Sequence, residues 1–138
     1  MSRLSGGCLC GAVTYSCDAE PILVGLCHCT SCQKGSGSAF STNVVLPRGS
    51  VEVDGELAIF EDVSDDGRPV LRSFCGNCGS PIISRSAGLP DLEFIKAGTL
   101  DDTSWIKPTA EIWCESAQAW VEVDESRQLA DRNPPLAA

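Results

Sequence analysis

The sequence predicts a mainly β fold in a single domain. Short segments of alternating or continuous apolar residues recur along the 138 residues, and turns containing glycine or proline separate them. Helical periodicity is almost absent, and no internal repeat is present. We expect one domain over residues 1–126 and a flexible C-terminal tail over residues 127–138, which end in Asn-Pro-Pro-Leu-Ala-Ala.

The individual elements follow from local pattern. Segment 11–17 places Val13, Tyr15 and Cys17 on one face, as in a half-buried strand. Asp54-Gly55 separates two strand segments and is typical of a hairpin turn. The glycines after Cys32 limit a helix to one turn over 30–34. The other predicted strands are 22–26, 40–46, 51–53, 57–61, 70–74, 82–85, 92–97, 110–113 and 119–123.

Charge and hydropathy exclude several classes of protein. The net charge of −9 repels phosphate backbones and anionic lipid, so nucleic acid and membrane surfaces are not expected partners. No segment approaches the roughly 18 consecutive apolar residues of a membrane span. The first residues lack the apolar core of a signal peptide. We therefore expect a cytoplasmic protein.

The cysteines indicate metal binding rather than disulfides. Nine is an odd number, so the chain cannot pair every cysteine internally. Clustered cysteines in a reducing compartment more often bind metal or do chemistry. Cys8 and Cys10 form one pair, and Cys75 and Cys78 form another. Together they make a four-thiolate set, which is the usual composition of a closed structural zinc site.

A third group, Cys27-His28-Cys29-Thr30-Ser31-Cys32, places three thiols within six residues. Three interpretations stand. Cys27, Cys29 and Cys32 hold a zinc ion with one open position for a ligand, as in catalytic sites. Alternatively, His28 or a spare cysteine completes a second closed site. In the third interpretation, the group is a metal-free cluster of reactive thiols.

Three thiolates make zinc a weak Lewis acid, better suited to holding an incoming thiolate than to ionising water. This favours sulfur chemistry. Zinc deaminases need an H-x-E motif before their cysteines. Here the single histidine, His28, is followed by Cys29 and Thr30, so deamination is excluded.

Four motifs occur in an order that resembles the glutathione-dependent formaldehyde-activating enzyme family, which also includes centromere protein V. They are Gly7-Cys8-Leu9-Cys10-Gly11-Ala12-Val13, Cys27-His28-Cys29-Thr30-Ser31-Cys32, Ser36-Gly37-Ser38-Ala39-Phe40 and Phe74-Cys75-Gly76-Asn77-Cys78-Gly79-Ser80. The resemblance covers about Gly6 to Val121. It implies a β-tent of twisted antiparallel sheets stapled by structural zinc.

The resemblance also implies two zinc ions and a reaction. The structural ion would be held by Cys8, Cys10, Cys75 and Cys78, and the open one by Cys27, Cys29 and Cys32. In the implied reaction, glutathione's sulfur would add to formaldehyde. This addition is formally the reverse of a carbon–sulfur lyase reaction. The alternative is a zinc-stabilised module that binds a thiol or a protein without turnover, and a third hypothesis is a zinc reservoir or redox sensor.

The remaining candidate residues surround the three-cysteine run. His28 could relay a proton, or its ring could point to solvent between two ligand residues. Lys34 and Gln33 are candidate substrate contacts, with Lys34 facing a substrate carboxylate. Many members of the family have arginine where this chain has Gln33, and a late histidine where it has Glu111. Both differences remove positive charge that would suit glutathione.

Overall fold

A computed structural model describes residues 4–64 and 67–133. These residues contain eleven strands, one α-helix (α1, Thr30–Ser36) and two short 3-10 turns. The prediction of a mainly β class is confirmed. The strands are β1 Leu4–Gly7, β2 Thr14–Cys17, β3 Leu23–Cys27, β4 Ser41–Pro47, β5 Val51–Asp54, β6 Leu57–Val63, β7 Pro69–Cys75, β8 Pro81–Ser86, β9 Leu92–Lys96, β10 Ala110–Ile112 and β11 Gln128–Leu129. None of the helices in these ranges is long and apolar enough to cross a membrane.

The strands form two sheets of unequal size. The small sheet has the antiparallel order β1-β2-β5. The large sheet has the order β11-β10-β3-β4-β9-β8-β7-β6. Its pairings are antiparallel except at one end, where β10 runs parallel to both β3 and β11. The expected antiparallel arrangement therefore holds for most of the fold, and the C-terminal edge is mixed.

The core lies between the two sheets. Val13, Tyr15 and Cys17 are buried on one face beside and within β2, as their alternation predicts. They pack in one cluster with apolar side chains of the large sheet, including the fully buried Leu46 and Ile82. One face of the large sheet is therefore committed to the core, and the other face carries both polar side chains, such as Asn43, and apolar ones, such as Val45 and Phe94.

The hairpin predicted at Asp54-Gly55 does not form. β5 pairs with β2 in the small sheet, whereas β6 pairs with β7 in the large one. The turn carries the chain from one sheet to the other. Gly55 has a φ of +107°, and a Cβ there would lie 2.3 Å from the Ala12 carbonyl oxygen. A close approach of two backbone segments, rather than a two-residue hairpin, is what requires glycine.

Two predictions near the C-terminus are also wrong. Segment 119–123 forms turns instead of a strand, because Trp120 is exposed and no neighbouring strand pairs with it in the described residues. The chain from Arg127 to Asn133 is not a free tail, since β11 pairs with β10. The Trp113 indole donates a hydrogen bond to Asn133 at 2.9 Å. The last predicted tail residues, 134–138, lie outside the described residues.

Candidate functional site

Four cysteines from two distant parts of the chain meet where the small sheet contacts the large one. Their Sγ atoms all lie within 4.8 Å of one another. The Sγ atoms of Cys8 and Cys10 are 3.6 Å apart, and those of Cys10 and Cys75 are 3.8 Å apart. A tetrahedral zinc with Zn–S bonds of about 2.3 Å has sulfur–sulfur edges of about 3.8 Å. The donor set fits a zinc ion. The four residues are Cys8, Cys10, Cys75 and Cys78.

Hydrogen-bond donors surround these sulfurs. The Val13 amide lies 3.3 Å from the Cys8 sulfur and lowers its pKa. The Asn77 side-chain amide donates to Cys10 at 3.2 Å. Hydrogen bonds from the Ser80 hydroxyl and backbone lower the pKa of Cys78 to about 5. Such donors stabilise the thiolate form, which is the form that binds metal.

Tight turns aim the donors at the sulfurs. Gly11 and Gly79, which follow the two cysteine pairs, have φ angles of +84° and +82°. Glycine adopts this left-handed conformation without the steric cost that a Cβ imposes. The two turns allow the chain to fold back over the cluster.

The second group combines the end of a strand with the start of a helix. Cys27 ends β3, Cys29 caps α1, and Cys32 lies in the first turn of that helix. The Cys29 sulfur accepts a hydrogen bond from the Cys32 amide at 3.3 Å. The three Sγ atoms lie within 4.8 Å of one another. In the described residues, no further His, Cys, Asp or Glu donor joins them. The helix runs to Ser36, longer than the predicted single turn.

The pKa values of the three thiols are not shifted in the same direction. Contacts with Cys29 and Cys32 raise the pKa of Cys27. Hydrogen bonds from Cys27 and Cys29, together with the charge of Lys96, lower the pKa of Cys32. Three thiols this close cannot all ionise at low cost without a cation between them. The cluster can therefore hold a metal ion, and its sulfur donors suit zinc.

The ring of His28 is buried rather than pointing to solvent. The residue is 0% exposed, and its Nε2 lies 2.7 Å from the Glu111 Oε1. The edge of the ring packs against Phe40 at a centroid distance of 5.4 Å. Nδ1 has no hydrogen-bond partner in the described part of the chain. The prediction that the ring could face solvent is wrong, because a carboxylate in the interior gives it a partner.

That carboxylate, Glu111, is itself held from two sides. Its Oε2 accepts hydrogen bonds from the Asp124 amide and from Arg127 Nη1, both at 3.0 Å. Burial acts to raise the pKa of Glu111, but the hydrogen bonds from His28, Asp124 and Arg127 outweigh it and hold the pKa below its ordinary value. The residue thus ties the cysteine run to the C-terminal segment. An acidic residue within the apolar stretch 110–113 was the signal in the sequence for this role.

The two predicted substrate contacts have other surroundings. The Gln33 amide donates to the His28 carbonyl at 2.7 Å and to the Ser116 carbonyl at 3.0 Å. Its oxygen accepts from Gln118 at 2.6 Å. Lys34 is exposed on the outer side of the helix. Neither residue is among the described residues that line the cavity next to the three cysteines.

In the described residues, one cavity of about 570 Å³ is lined by Cys27 of the three-cysteine group, and two others are lined by Cys32. One of these two, of about 160 Å³, is lined by all three cysteines together with Asn43, Ser84 and Trp113. The other, of about 350 Å³, has aromatic walls that include Phe60 and Phe74. The linings of these two cavities share three residues, which are Cys32, Arg72 and Lys96. A molecule in either cavity therefore meets the same sulfur and the same two cations.

Sequence reasoning missed both cations. Lys96 is half-buried at the end of β9, where burial lowers its pKa and the charge of Cys32 opposes that effect. Arg72 lies on β7 and donates from Nε to Asp62 at 3.0 Å. Each is 40 or more positions from Cys32 in the sequence and stands in no motif. Their strands gave no local signal, because Arg72 shares its face of β7 with Val70 and Phe74 and Lys96 shares its face of β9 with Leu92 and Phe94.

The fold resembles that of a structural-genomics crystal structure of a Rhodobacter sphaeroides protein. The TM-score is 0.57 at 17% sequence identity, over 75% of this chain and 91% of that one. At this identity the likeness supports the fold alone.

Relatives from two fungi carry the same name, "Putative glutathione-dependent formaldehyde-activating enzyme". The Colletotrichum graminicola protein is 28% identical over 110 residues, which are 71% of this chain and 57% of that protein. The Penicillium rubens protein is 31% identical over 85 residues, which are 59% of this chain and 44% of that protein. The chain thus spans about half the length of the curated relatives it matches.

The family model for the glutathione-dependent formaldehyde-activating enzyme matches residues 3–116, which include both cysteine groups. This match covers most of the chain and agrees with the resemblance carried by the four motifs. The chain belongs to the glutathione-dependent formaldehyde-activating enzyme family.

Proposed function

We propose that this protein is a zinc enzyme that adds a thiol, glutathione or a similar compound, to a small carbonyl compound such as formaldehyde. The observation that carries the proposal is the cluster of Cys27, Cys29 and Cys32, which borders three cavities and has no fourth His, Cys, Asp or Glu donor in the described residues. Family membership points to the same substrates.

The two cysteine groups have separate roles in this proposal. The four-cysteine group holds a structural zinc ion, since its four sulfurs lie within 4.8 Å of one another and supply the four donors that a closed zinc site needs. The three-cysteine group holds a second zinc ion, which supplies when bound one open position for an incoming thiol. In the reaction a carbon–sulfur bond forms and the carbonyl double bond becomes a C–O–H group. The proton comes from the thiol, so the adduct contains every atom of both reactants.

The protein groups around the open site orient the cysteines and balance charge. His28, although predicted as catalytic, lies outside the described lining of all three cavities. Its hydrogen bond to Glu111 fixes the backbone between Cys27 and Cys29, so we assign it a positioning role. Lys96 and Arg72 offset the negative charge that the thiolates bring.

The proposed setting is the cytoplasm, where glutathione keeps cysteines reduced and available to metal. A net charge of −9 is unfavourable for nucleic acid binding, so small molecules are the proposed partners.

Elemental analysis combined with isotope-labelled formaldehyde tests the proposal. We expect two zinc ions per chain, and we expect the protein to accelerate exchange between formaldehyde and its glutathione adduct, followed by NMR. Cys29→Ser is the control and should lose the acceleration. Two bound zinc ions without any acceleration over buffer would reject the activity. Thermal stabilisation by glutathione in that case would instead support a binding module without turnover.

A further inference from the structure

A polar row crosses the face of the large sheet opposite the core. Arg72 on β7 pairs with Ser84 on β8, and Lys96 on β9 pairs with Asn43 on β4. Side chains at paired positions share one face of a sheet, so these four lie together. Asp62 on β6 extends the row through its ion pair with Arg72. The row runs beside the three-cysteine group, since both cavities that contain Cys32 also contain Arg72 and Lys96.

The two cations in this row, Arg72 and Lys96, differ in their side-chain partners. Arg72 has a carboxylate partner in Asp62 at 3.0 Å. Lys96 donates only to neutral oxygens in the described residues, to Asn43 Oδ1 at 2.8 Å and Ser84 Oγ at 3.1 Å. An ammonium group has three N–H donors, so one remains for the cavity. Its orientation is set by two strands of the sheet rather than by a loop.

Lys96 also stands where the two reactants would meet. Two cavities meet at Cys32, since Cys32, Arg72 and Lys96 line both of them. When a thiolate attacks a carbonyl carbon, negative charge moves onto the carbonyl oxygen. A fixed donor next to the attacking sulfur stabilises that oxygen most strongly in a cavity with little water.

We propose that Lys96 is a catalytic residue whose free N–H donates to the carbonyl oxygen as it becomes negatively charged. This inference rests on the proposed function. The sulfur–carbon bond forms as the C–O π bond opens, and the electron pair goes to the oxygen. Lys96 keeps its charge throughout. The oxygen then takes a proton from a water molecule, and the proton that the thiol released neutralises the hydroxide left behind, so the net transfer is from the thiol to the oxygen.

The test compares Lys96→Met with wild type in the zinc-loaded protein. Methionine keeps most of the side-chain volume and removes the donor and the charge. We expect kcat for glutathione and formaldehyde to fall about 100-fold or more, the range seen when one oxyanion donor is removed. The zinc content should stay at two per chain, and the dissociation constant of glutathione, measured by calorimetry, should change less than about threefold, since the proposed contact forms only in the transition state. Lys34→Met, a substitution on the exposed side of the helix, is the matched control and should behave as wild type.

A second variant keeps the test decisive if Lys96→Met does not fold. Ser84→Ala removes one of the two hydrogen bonds that orient the Lys96 ammonium, and it should lower kcat several-fold with glutathione binding intact.

Three outcomes separate the possibilities. If Lys96→Met has the kcat of wild type, the role of Lys96 is rejected and the proposed function stands. Loss of zinc or of glutathione affinity in parallel with kcat would also overturn it, because Lys96 would then only balance the charge of the thiolates. A wild-type protein without activity would remove the proposed function and this inference together.

Discussion

The two cysteine groups differ in how far along the chain their members lie. Cys10 and Cys75 are 65 residues apart, and they join the small sheet to the large one. Cys27, Cys29 and Cys32 come from one six-residue run. By the chain-entropy estimate used for disulfides, closing the long loop is worth about 4 kcal/mol and closing the short one about 2 kcal/mol. A metal ion should therefore stabilise the fold mainly through the first group.

The two groups differ in their surroundings as well. Hydrogen-bond donors such as the Val13 amide and the Asn77 side chain contact the sulfurs of the first group. This group has four sulfurs, which is the number that a closed zinc site needs. The second group has three sulfurs instead of four in the described residues and borders three cavities. The comparison teaches that a metal site whose ligands lie far apart in the sequence stabilises the fold, whereas a site with an incomplete set of ligands next to a cavity can bind a reactant. Each prediction below tests one side of it.

Cys75→Ser should have the largest effect. Cys75 is 1% exposed and supplies one of the two links from the large sheet. Zinc binding at such sites contributes on the order of 10–16 kcal/mol, which is comparable with the roughly 5–15 kcal/mol stability of a whole domain. We expect the variant to be largely unfolded at 25 °C by circular dichroism and to bind less zinc. Cys114→Ser, at a cysteine outside both groups, is the control and should fold normally.

Cys29→Ser should separate the second group from the fold. Serine is a preferred N-cap residue, so the helix keeps its cap while the metal loses one sulfur. We expect zinc content to fall from two to one, thermal stability to stay within a few degrees of wild type, and activity to drop at least about 100-fold. Global unfolding of this variant would contradict the division between a structural and an open site.

The sequence was sufficient for features that depend on local pattern. The alternation of Val13, Tyr15 and Cys17 predicted a buried strand face, because period two is a property of the strand itself. The division of seven cysteines into sets of four and three followed from their spacing. The structure places the same two sets together, and their ligand roles stay predictions.

Features that depend on distant partners could not be predicted in this way. Asp54-Gly55 has the composition of a hairpin turn, but Gly55 is required by a contact with Ala12, which only the packing of two sheets creates. Lys96 reaches the three-cysteine group through the strand order β4-β9-β8-β7, which no local pattern contains. Gln33 and Lys34 were chosen as substrate contacts for their proximity in sequence to Cys32, yet one bonds to the protein backbone and the other is exposed.

Glu111→Gln should have an intermediate effect and probe what holds the second group in place. It removes the charge that Arg127 and His28 meet in the interior. Hydrogen bonds to a charged group contribute about 1.5–3 kcal/mol, so we expect a loss of about that size in the free energy of unfolding by urea at pH 7.

The pH dependence of Glu111→Gln gives its own test. Because the pKa of Glu111 is lowered in the fold, its carboxylate stabilises the protein above the unfolded-state pKa of about 4.5 and loses this contribution as the pH falls further. The difference in unfolding free energy between wild type and variant should be constant from pH 7 to about 5 and shrink below that. A difference independent of pH down to 3.5 would mean that the charge contributes nothing. Comparing two proteins with the same cysteines cancels the effect of acid on metal binding.

Gln33→Ala should have the smallest effect. It tests whether Gln33, on the helix of the second group, stabilises the fold or contacts the substrate. The Gln33 amide makes hydrogen bonds to the carbonyls of His28 and Ser116 and accepts one from Gln118. Its loss leaves these groups to find other partners, which costs about 1–2 kcal/mol. We therefore expect the free energy of unfolding to fall by that amount while KM for glutathione stays unchanged. Lys34→Ala should change neither quantity, since its side chain is exposed. A rise in KM for either variant, with stability unaffected, would show that the substrate contacts the helix rather than the sheet.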